Sequence, residues 1–278
     1  MTDSRDSEQH RPRRRFGQNF LQDSRVVDQI VQAVDPQPGQ SVVEIGPGKG
    51  VITGPLLARL GALDVVELDR DLAKQLPRRL GEPDGLRIHQ ADALKFDFSQ
   101  IADRDLRVVG NLPYNISTPL LFRLLGLAEI VKDMHLMLQA EVVDRITAVP
   151  GTKAYGRLSV MCQIYADPLK LFTIGPQAFQ PRPRVTSAFL RIGVRQQTAF
   201  PIPSRDILSR VVTQAFSQRR KTLRNGLKQF FTAGDLESLG IDPGQRPETL
   251  RLEQFAALAR AVDAGQDPLE KDLTDGGR

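Results

Sequence analysis

Asn111-Leu112-Pro113-Tyr114 combines residue types suited to one task, holding the exocyclic amine of a flat base. Pro113 restricts Leu112 to the extended region and so fixes where the Leu112 carbonyl points. The Asn111 side-chain oxygen is a second acceptor beside it. Tyr114 supplies a ring on which a base can stack. Two acceptors converging on one NH2 group draw its protons away and leave its lone pair free to attack an electrophile. Taken alone, the tetrapeptide also reads as a Pro-containing strand-to-helix turn with Asn as a cap. What precedes it in the chain separates the two readings.

Gly46-Pro47-Gly48-Lys49-Gly50 follows an apolar run, and glycines there let a ligand approach the backbone closely. The spacing is not G-x-G-x-x-G, because Val51 stands where the third glycine would fall, and no phosphate-cradling G-x-x-x-x-G-K-[ST] is present. In Glu67-Leu68-Asp69, Glu67 is placed to accept both hydroxyls of a ribose. In Ala91-Asp92-Ala93, Asp92 is placed to accept from an adenine amine. Singly, the glycines make a tight turn and each acid is a solvated strand-end residue. In chain order with Asn111-Leu112-Pro113-Tyr114, they outline a site for an adenosine-containing ligand held without phosphate contacts beside an amine nucleophile. S-adenosylmethionine fits that outline.

The elements that must position these residues follow from the apolar runs. Buried strands are expected at 41–45, 64–68, 86–89 and 106–109, the last ending at Gly110, with a helix starting near Ile52 and carrying Leu56, Leu57 and Leu60. All four groups then fall at strand ends, where open α/β sheets bind ligands. The strand–helix alternation from 41 to about 194 predicts a three-layer α/β domain. Runs 169–174 and 186–194 read as two late strands joined by a Pro-rich loop containing Phe179, forming an antiparallel edge. From Pro201 the pattern changes to short helices, expected at 205–216, 223–231, 233–239 and 252–262. No internal repeat is visible, and the polar ends 1–10 and 264–278 are expected to be disordered.

The 278 residues suffice for one sizeable core and a smaller domain. No apolar run spans a membrane and no secretory signal is read, so a cytoplasmic location is expected. The lone Cys162, expected in the core of a helix at 158–166, excludes intramolecular disulfides and a cysteine-based zinc site. His10, His89 and His135 lie outside every motif, so neither a histidine nucleophile nor a metal is expected. Lys and Arg number 38 against 33 Asp and Glu. Arg11, Arg13, Arg14 and Arg15 cluster near the start, and Arg219, Arg220, Lys221, Arg224 and Lys228 cluster later with no acid among them. Such clusters can be solvated faces, but beside a base-modifying site they read as contacts to RNA phosphates. No RNA-recognition signature of the RRM type is present, so selection by RNA shape and assembled context is expected.

Four motifs carry a family resemblance: Phe16-Gly17-Gln18-Asn19-Phe20-Leu21, Val43-Glu44-Ile45-Gly46-Pro47-Gly48, Asn111-Leu112-Pro113-Tyr114-Asn115-Ile116-Ser117, and Phe179-Gln180-Pro181-Arg182-Pro183-Arg184-Val185-Thr186-Ser187. From roughly 13 to 261 the chain resembles the ribosomal RNA adenine dimethyltransferases. The resemblance implies a class I, Rossmann-like S-adenosylmethionine-dependent methyltransferase sheet with a smaller all-α C-terminal domain. The expected division is a basic tail at 1–15, the methyltransferase domain at 16–200, a helical RNA-contacting domain at 201–263 and a tail at 264–278. It implies cofactor contacts from Asn19, Leu21, Gly46, Gly48, Glu67, Asp92 and Asn111. It also implies that Phe179 stacks on the target adenine opposite Tyr114, with Arg182 and Arg184 nearby on the RNA surface.

Within the family, Gly17-Gln18-Asn19, Leu112, Ser117-Thr118-Pro119-Leu120-Leu121-Phe122 and Ala215-Phe216-Ser217-Gln218-Arg219-Arg220-Lys221-Thr222-Leu223 look like the branch that modifies small-subunit rRNA during ribosome assembly. That branch implies N6,N6-dimethylation of two adjacent adenines in a 16S rRNA hairpin loop by a monomer. Lys49 is more usual in the branch that modifies large-subunit rRNA and confers antibiotic resistance. A third relative uses the same fold as a non-catalytic binding module. A DNA adenine methyltransferase fits the helical C-terminal region and the whole-chain match less well.

Overall fold

The computed structural model describes residues 19–113, 116–218 and 220–266. Expectations for Arg13, Arg14, Arg15, Tyr114 and Arg219, and for the ends 1–18 and 267–278, lie outside these residues.

The first half runs β1 (Phe20–Leu21), α1 (Ser24–Val34), β2 (Val42–Ile45), α2 (Thr53–Leu60), β3 (Leu63–Glu67), α3 (Arg70–Arg79), β4 (Leu86–Gln90), β5 (Leu106–Asn111), α4 (Ser117–Leu125) and β6 (Val131–Gln139). The second half adds α5 (Ala140–Ile146), α6 (Arg157–Tyr165), β7 (Ala166–Ile174), β8 (Phe179–Gln180) and β9 (Ser187–Val194). It ends with α7 (Arg205–Ser217), α8 (Leu223–Gly226), α9 (Ala233–Ser238) and α10 (Leu252–Ala261). The strands expected from the apolar runs are present within a few residues of their expected ends.

One sheet has the order β4-β3-β2-β5-β6-β9-β7, and β3–β4, β2–β3, β2–β5 and β5–β6 pair in parallel. β7 and β9 are neighbours at one edge of it. Chain order reverses across β2 and β5, which makes the crevice beyond their carboxyl ends the topological switch point. β2 and β3 are buried along their whole length, consistent with a parallel sheet covered on both faces. α1 is started by Asp23, whose carboxylate accepts from the Arg25 N–H, and it buries Val27, Ile30, Val31 and Val34 at helical spacing.

Packing divides the chain into two compact units, one of residues 1–140 and 171–191, the other of 141–170 and 192–278. The first holds the sheet's parallel strands and the core around Ile30, Val31, Leu56, Leu63 and Val65. In the second, α6, α7 and α10 pack together, Phe216 stacks on Phe255, and the buried Tyr155 hydroxyl donates to the Leu250 carbonyl. Cys162 is buried in α6, as its apolar neighbours predict, and burial pushes its thiol up to about 12. α8 is shorter than the expected helix at 223–231. Asn225-Gly226 is a weak pair for continuing a helix, and the Phe230 and Phe231 N–H groups instead turn back to the Leu227 carbonyl.

Candidate active site

β5 delivers Asn111 to the switch point. A Cβ at Gly110 would lie 2.8 Å from the Ile45 carbonyl oxygen, so β5 can run this close to β2 only with glycine there. The half-buried Asn111 side chain donates from Nδ2 to the Asn19 carbonyl oxygen at 3.2 Å. A carbonyl accepts only from the nitrogen end, so this bond orients the amide and leaves Oδ1 as the outward acceptor. The Leu112 N–H donates to the Met137 carbonyl at 3.3 Å, which ties the motif's backbone to β6, and the Leu112 side chain is buried. The Pro113 carbonyl accepts from the Ile116 N–H at 3.1 Å as α4 begins.

The glycine loop wraps beneath this acceptor. Gly46 sits at φ 70, and a Cβ there would lie 3.8 Å from the Asn111 carbonyl oxygen. A Cβ on Gly48, at φ 58, would meet the Phe20 ring at 3.1 Å. Both positions hold left-handed backbone, and at Gly48 a Cβ would also be crowded. The Gly48 N–H donates to Glu67 Oε2 at 3.2 Å, and the Asp69 N–H donates to Glu67 Oε1 at 2.9 Å. Burial raises the Glu67 carboxyl above its ordinary range, and these backbone donors work against that rise. Asp92 follows β4, and its Oδ1 accepts from the Leu94 N–H at 2.9 Å.

Along the sheet these groups form a spatial series: Asp92 after β4, Glu67 ending β3, the glycine loop after β2, and Asn111 ending β5. Three strand spacings of about 4.8 Å make this row roughly 14 Å long, on the scale of a nucleoside with a short tail. Leu21, Gly46 and Asn111 also line one cavity with Phe20, Glu44 and Lys49.

Phe179 is placed otherwise than expected. The residue is 3% exposed and belongs to the apolar cluster containing Leu21, Val27, Ile30 and Met137, so its ring presents no open face to a base in this structure. The cause is strand alternation: β8 pairs antiparallel with β1, Leu21 opposite Phe179, which turns Phe179 inward and Gln180 outward. Arg182 and Arg184 are exposed in the loop after β8. In the other unit Arg220, Lys221 and Arg224 are exposed, and none forms an ion pair among the described residues.

Several features of the site escaped the sequence reading. Asn19 was expected as a cofactor contact, but the bond by which its carbonyl orients Asn111 was not. Phe20 lies under the Lys49 ammonium, 4.9 Å from its ring centroid. Leu68, 51% exposed, offers an apolar surface beside Glu67. Glu44 is 2% exposed, and its Oε2 has no hydrogen-bond partner. Burial pushes the Glu44 carboxyl up to about 7; the Thr53 side chain opposes this and the Glu67 charge adds to it. The buried Thr53 hydroxyl makes no well-formed hydrogen bond, so its opposition is weak. An acid inside an otherwise apolar strand, Val42-Val43-Glu44-Ile45, was the signal available for Glu44.

The model of the family described as ribosomal RNA adenine dimethylase matches residues 9–263. The chain belongs to this family. Membership makes it an S-adenosylmethionine-dependent methyltransferase of adenine in ribosomal RNA. Among curated relatives, the Ribosomal RNA small subunit methyltransferase A of Acinetobacter baylyi is 56% identical over 254 residues, 91% of this chain and 93% of that one. Its namesake from Vibrio cholerae is 50% identical over 257 residues, covering 92% and 95% of the two chains. Among solved structures, a dimethyladenosine transferase from Plasmodium falciparum superposes with a TM-score of 0.76 at 23% identity, over 88% of this chain and 98% of that one. The 23S rRNA methyltransferase ErmE superposes at 0.69 with 22% identity, over 88% and 100%. These two share the fold, a Rossmann-like methyltransferase sheet.

Proposed function

We propose that the protein dimethylates the N6 amine of two adjacent adenines in a hairpin loop of small-subunit (16S) rRNA during ribosome assembly. The observation that carries the reading is the oriented Asn111 amide at the end of the row Asp92, Glu67, glycine loop. The names of the 56% and 50% identical relatives support the small-subunit target. The residues suit the cofactor: a row of acids spaced for a nucleoside, a glycine loop in left-handed backbone that is crowded at Gly48 and Gly50, and a buried carboxylate oxygen lacking a partner.

S-adenosylmethionine supplies, when bound, a methyl group on a sulfonium. Glu67 accepts the ribose hydroxyls, Asp92 the adenine amine, and Asn19, Leu21, Gly46 and Gly48 form the wall between them and Asn111. Asn111 Oδ1 and the Leu112 carbonyl accept the two N–H bonds of the target amine and hold its lone pair toward the methyl. Positioning and preorganised dipoles provide most of the rate. No strong base is needed, because the amine nitrogen becomes acidic once it bonds a methyl and then loses its proton to solvent.

Extruding a base costs a few kcal/mol, and stacking on an aromatic ring returns about 1–3 kcal/mol, so hairpin-loop adenines are favoured over duplex ones. Tyr114 takes the base face. For Phe179 to take the other, its ring must turn out of the cluster in which it is buried. Arg13, Arg14, Arg15, Arg182, Arg184, Arg219, Arg220, Lys221 and Arg224 neutralise phosphates. The methyltransferase domain at 16–200 does the chemistry and the helical domain at 201–263 engages the subunit, in a cytoplasmic monomer that uses no metal. Among the described residues no helix is long and apolar enough to cross a membrane, and no group of residues could hold a metal ion.

The test is tritiated methyl transfer onto small subunits lacking the modification, beside large subunits and naked rRNA. Label in small subunits alone, recovered as dimethyladenine, is expected. Label in large subunits supports the resistance-type target, and tight subunit binding without label supports a non-catalytic binding module.

A further inference from the structure

We propose that Lys49 selects the cofactor by the carboxylate of its amino-acid tail, with Glu44 facing the ammonium of the same tail. The inference rests on the cofactor placement proposed above. A sulfonium carries three substituents. Here the adenosyl arm runs toward Glu67 and Asp92, and the methyl faces Asn111. The third arm, the amino-acid tail, must leave along the remaining wall, between the glycine loop and β1. That wall is the cavity lined by Phe20, Leu21, Glu44, Gly46, Lys49 and Asn111.

Among the described residues its only charged groups are Lys49 and Glu44, and they have opposite sign. Glu44 is almost fully buried with Oε2 unpartnered, a costly arrangement that an arriving ammonium would relieve. Among the described residues Lys49 has no acid partner: its ammonium rests over the Phe20 ring, 4.9 Å from the centroid. A cation–π contact at a partly open site is weaker than a charge-assisted hydrogen bond, so the ammonium gains by exchanging the ring for a carboxylate. Phe20 is in turn held close to Gly48, since a Cβ there would lie 3.1 Å from its ring. The ring thus presents Lys49 at the cavity rather than leaving it to roam the solvent. The ordinary alternative is a solvated loop lysine that happens to lie on an aromatic ring.

Calorimetry on the full chain separates the two, using three ligands. S-adenosylhomocysteine has the complete tail, decarboxylated S-adenosylmethionine keeps only the amine, and methylthioadenosine has neither charge. Lys49→Met should weaken S-adenosylhomocysteine by about tenfold to a hundredfold, the worth of one hydrogen bond between charged groups. It should leave the other two ligands unchanged, and Lys49→Arg should restore most of the loss. Glu44→Gln should weaken the two amine-bearing ligands and spare methylthioadenosine. Equal losses of all three ligands in Lys49→Met, or no loss of any, overturn the proposal. Glu67→Ala is the control for the underlying placement: it should weaken all three ligands, because each carries the ribose. If it weakens none, the placement itself is wrong; if it weakens all while Lys49→Met weakens none, only the carboxylate assignment falls. Thermal melts of each variant confirm folding.

Discussion

The Asn111 side chain is oriented by the backbone of Asn19, 92 residues earlier in the chain, through a 3.2 Å hydrogen bond from Nδ2. The acceptor end of the amide is thereby turned away from Asn19 by a group that no side-chain substitution can remove. Asn111→Ala should keep the fold and lose about two to three orders of magnitude in single-turnover methyl transfer, the scale of one preorganised polar contact. Asn111→Asp should fare no better, because a carboxylate cannot donate to the Asn19 carbonyl. Near-normal turnover in either variant would remove Asn111 from the mechanism.

Glu67 joins two elements through its two oxygens, the glycine loop by the Gly48 N–H and the start of α3 by the Asp69 N–H. Glu67→Ala should weaken cofactor binding by roughly 1.5–3 kcal/mol, the range for hydrogen bonds to a charged group. RNA affinity measured without cofactor should be unchanged. Calorimetry and filter binding report the two quantities separately.

Glu44 makes stability depend on pH. Its carboxyl is pushed from 4.5 up to about 7, first by burial and then by the Glu67 charge, against the Thr53 side chain. The folded state therefore holds a proton between those values that the unfolded state has released. Stability contributed by the protonated form is lost as pH rises through this window. The shift corresponds to on the order of 3 kcal/mol. Glu44→Gln should exceed the parent in urea melts by its largest margin near pH 8, and the margin should vanish near pH 4, estimates that follow from the same linkage. A margin independent of pH would show that Glu44 is not the group responsible. The same variant should bind cofactor less well, so stability and binding make opposite demands on one side chain.

The basic residues of α8 and its approach can be tested by salt. Replacing Arg220, Lys221 and Arg224 with Ala should weaken binding to small subunits and lower the slope of log K against log salt by a little under one per lost phosphate contact. Cofactor affinity should not change. An unaltered slope in a folded protein would mean that these exposed side chains meet solvent rather than phosphate.

Gly110→Ala places a Cβ 2.8 Å from the Ile45 carbonyl oxygen, a contact with backbone that cannot rotate away. The expected cost is about 1–3 kcal/mol, as for other overpacked sites. Because β5 must shift to relieve it, turnover should fall together with stability.

The parallel strands β2 to β5 were legible because buried β-branched runs are read directly, and so was the placement of Gly46, Glu67, Asp92 and Asn111 at or just after their ends; the parallel strand β6 was not expected. The Asn19–Asn111 bond was not, since pairing across 92 residues leaves no local pattern. Phe179 was read as a stacking ring from its motif, whereas the pairing of β8 with β1 decides which way it faces, and a two-residue strand is too short to show alternation. Glu44 lay inside a run whose apolar neighbours advertised only a strand. α8 ends early for a reason visible in Asn225-Gly226, but the apolar residues after it mimicked a continuing helix.

The pairing of β1 with β8, reinforced by the Gln22 N–H on the Ala178 carbonyl at 2.8 Å, has a bearing on synthesis. The segment that orients the Asn111 amide is among the first described stretches to be made, yet its pairing partner is made about 160 residues later. Translation is vectorial, at about 5–20 residues per second, so the interval is on the order of ten seconds. During it Asn111 can be present while the segment that aims it still lacks its strand partner. A chain released early, before residue 180, would carry Glu67, Asp92 and Asn111 together with the glycine loop. It would lack the strand pairing beside the group that orients Asn111, and so a nascent protein holds all these residues before the Asn111 amide is firmly aimed.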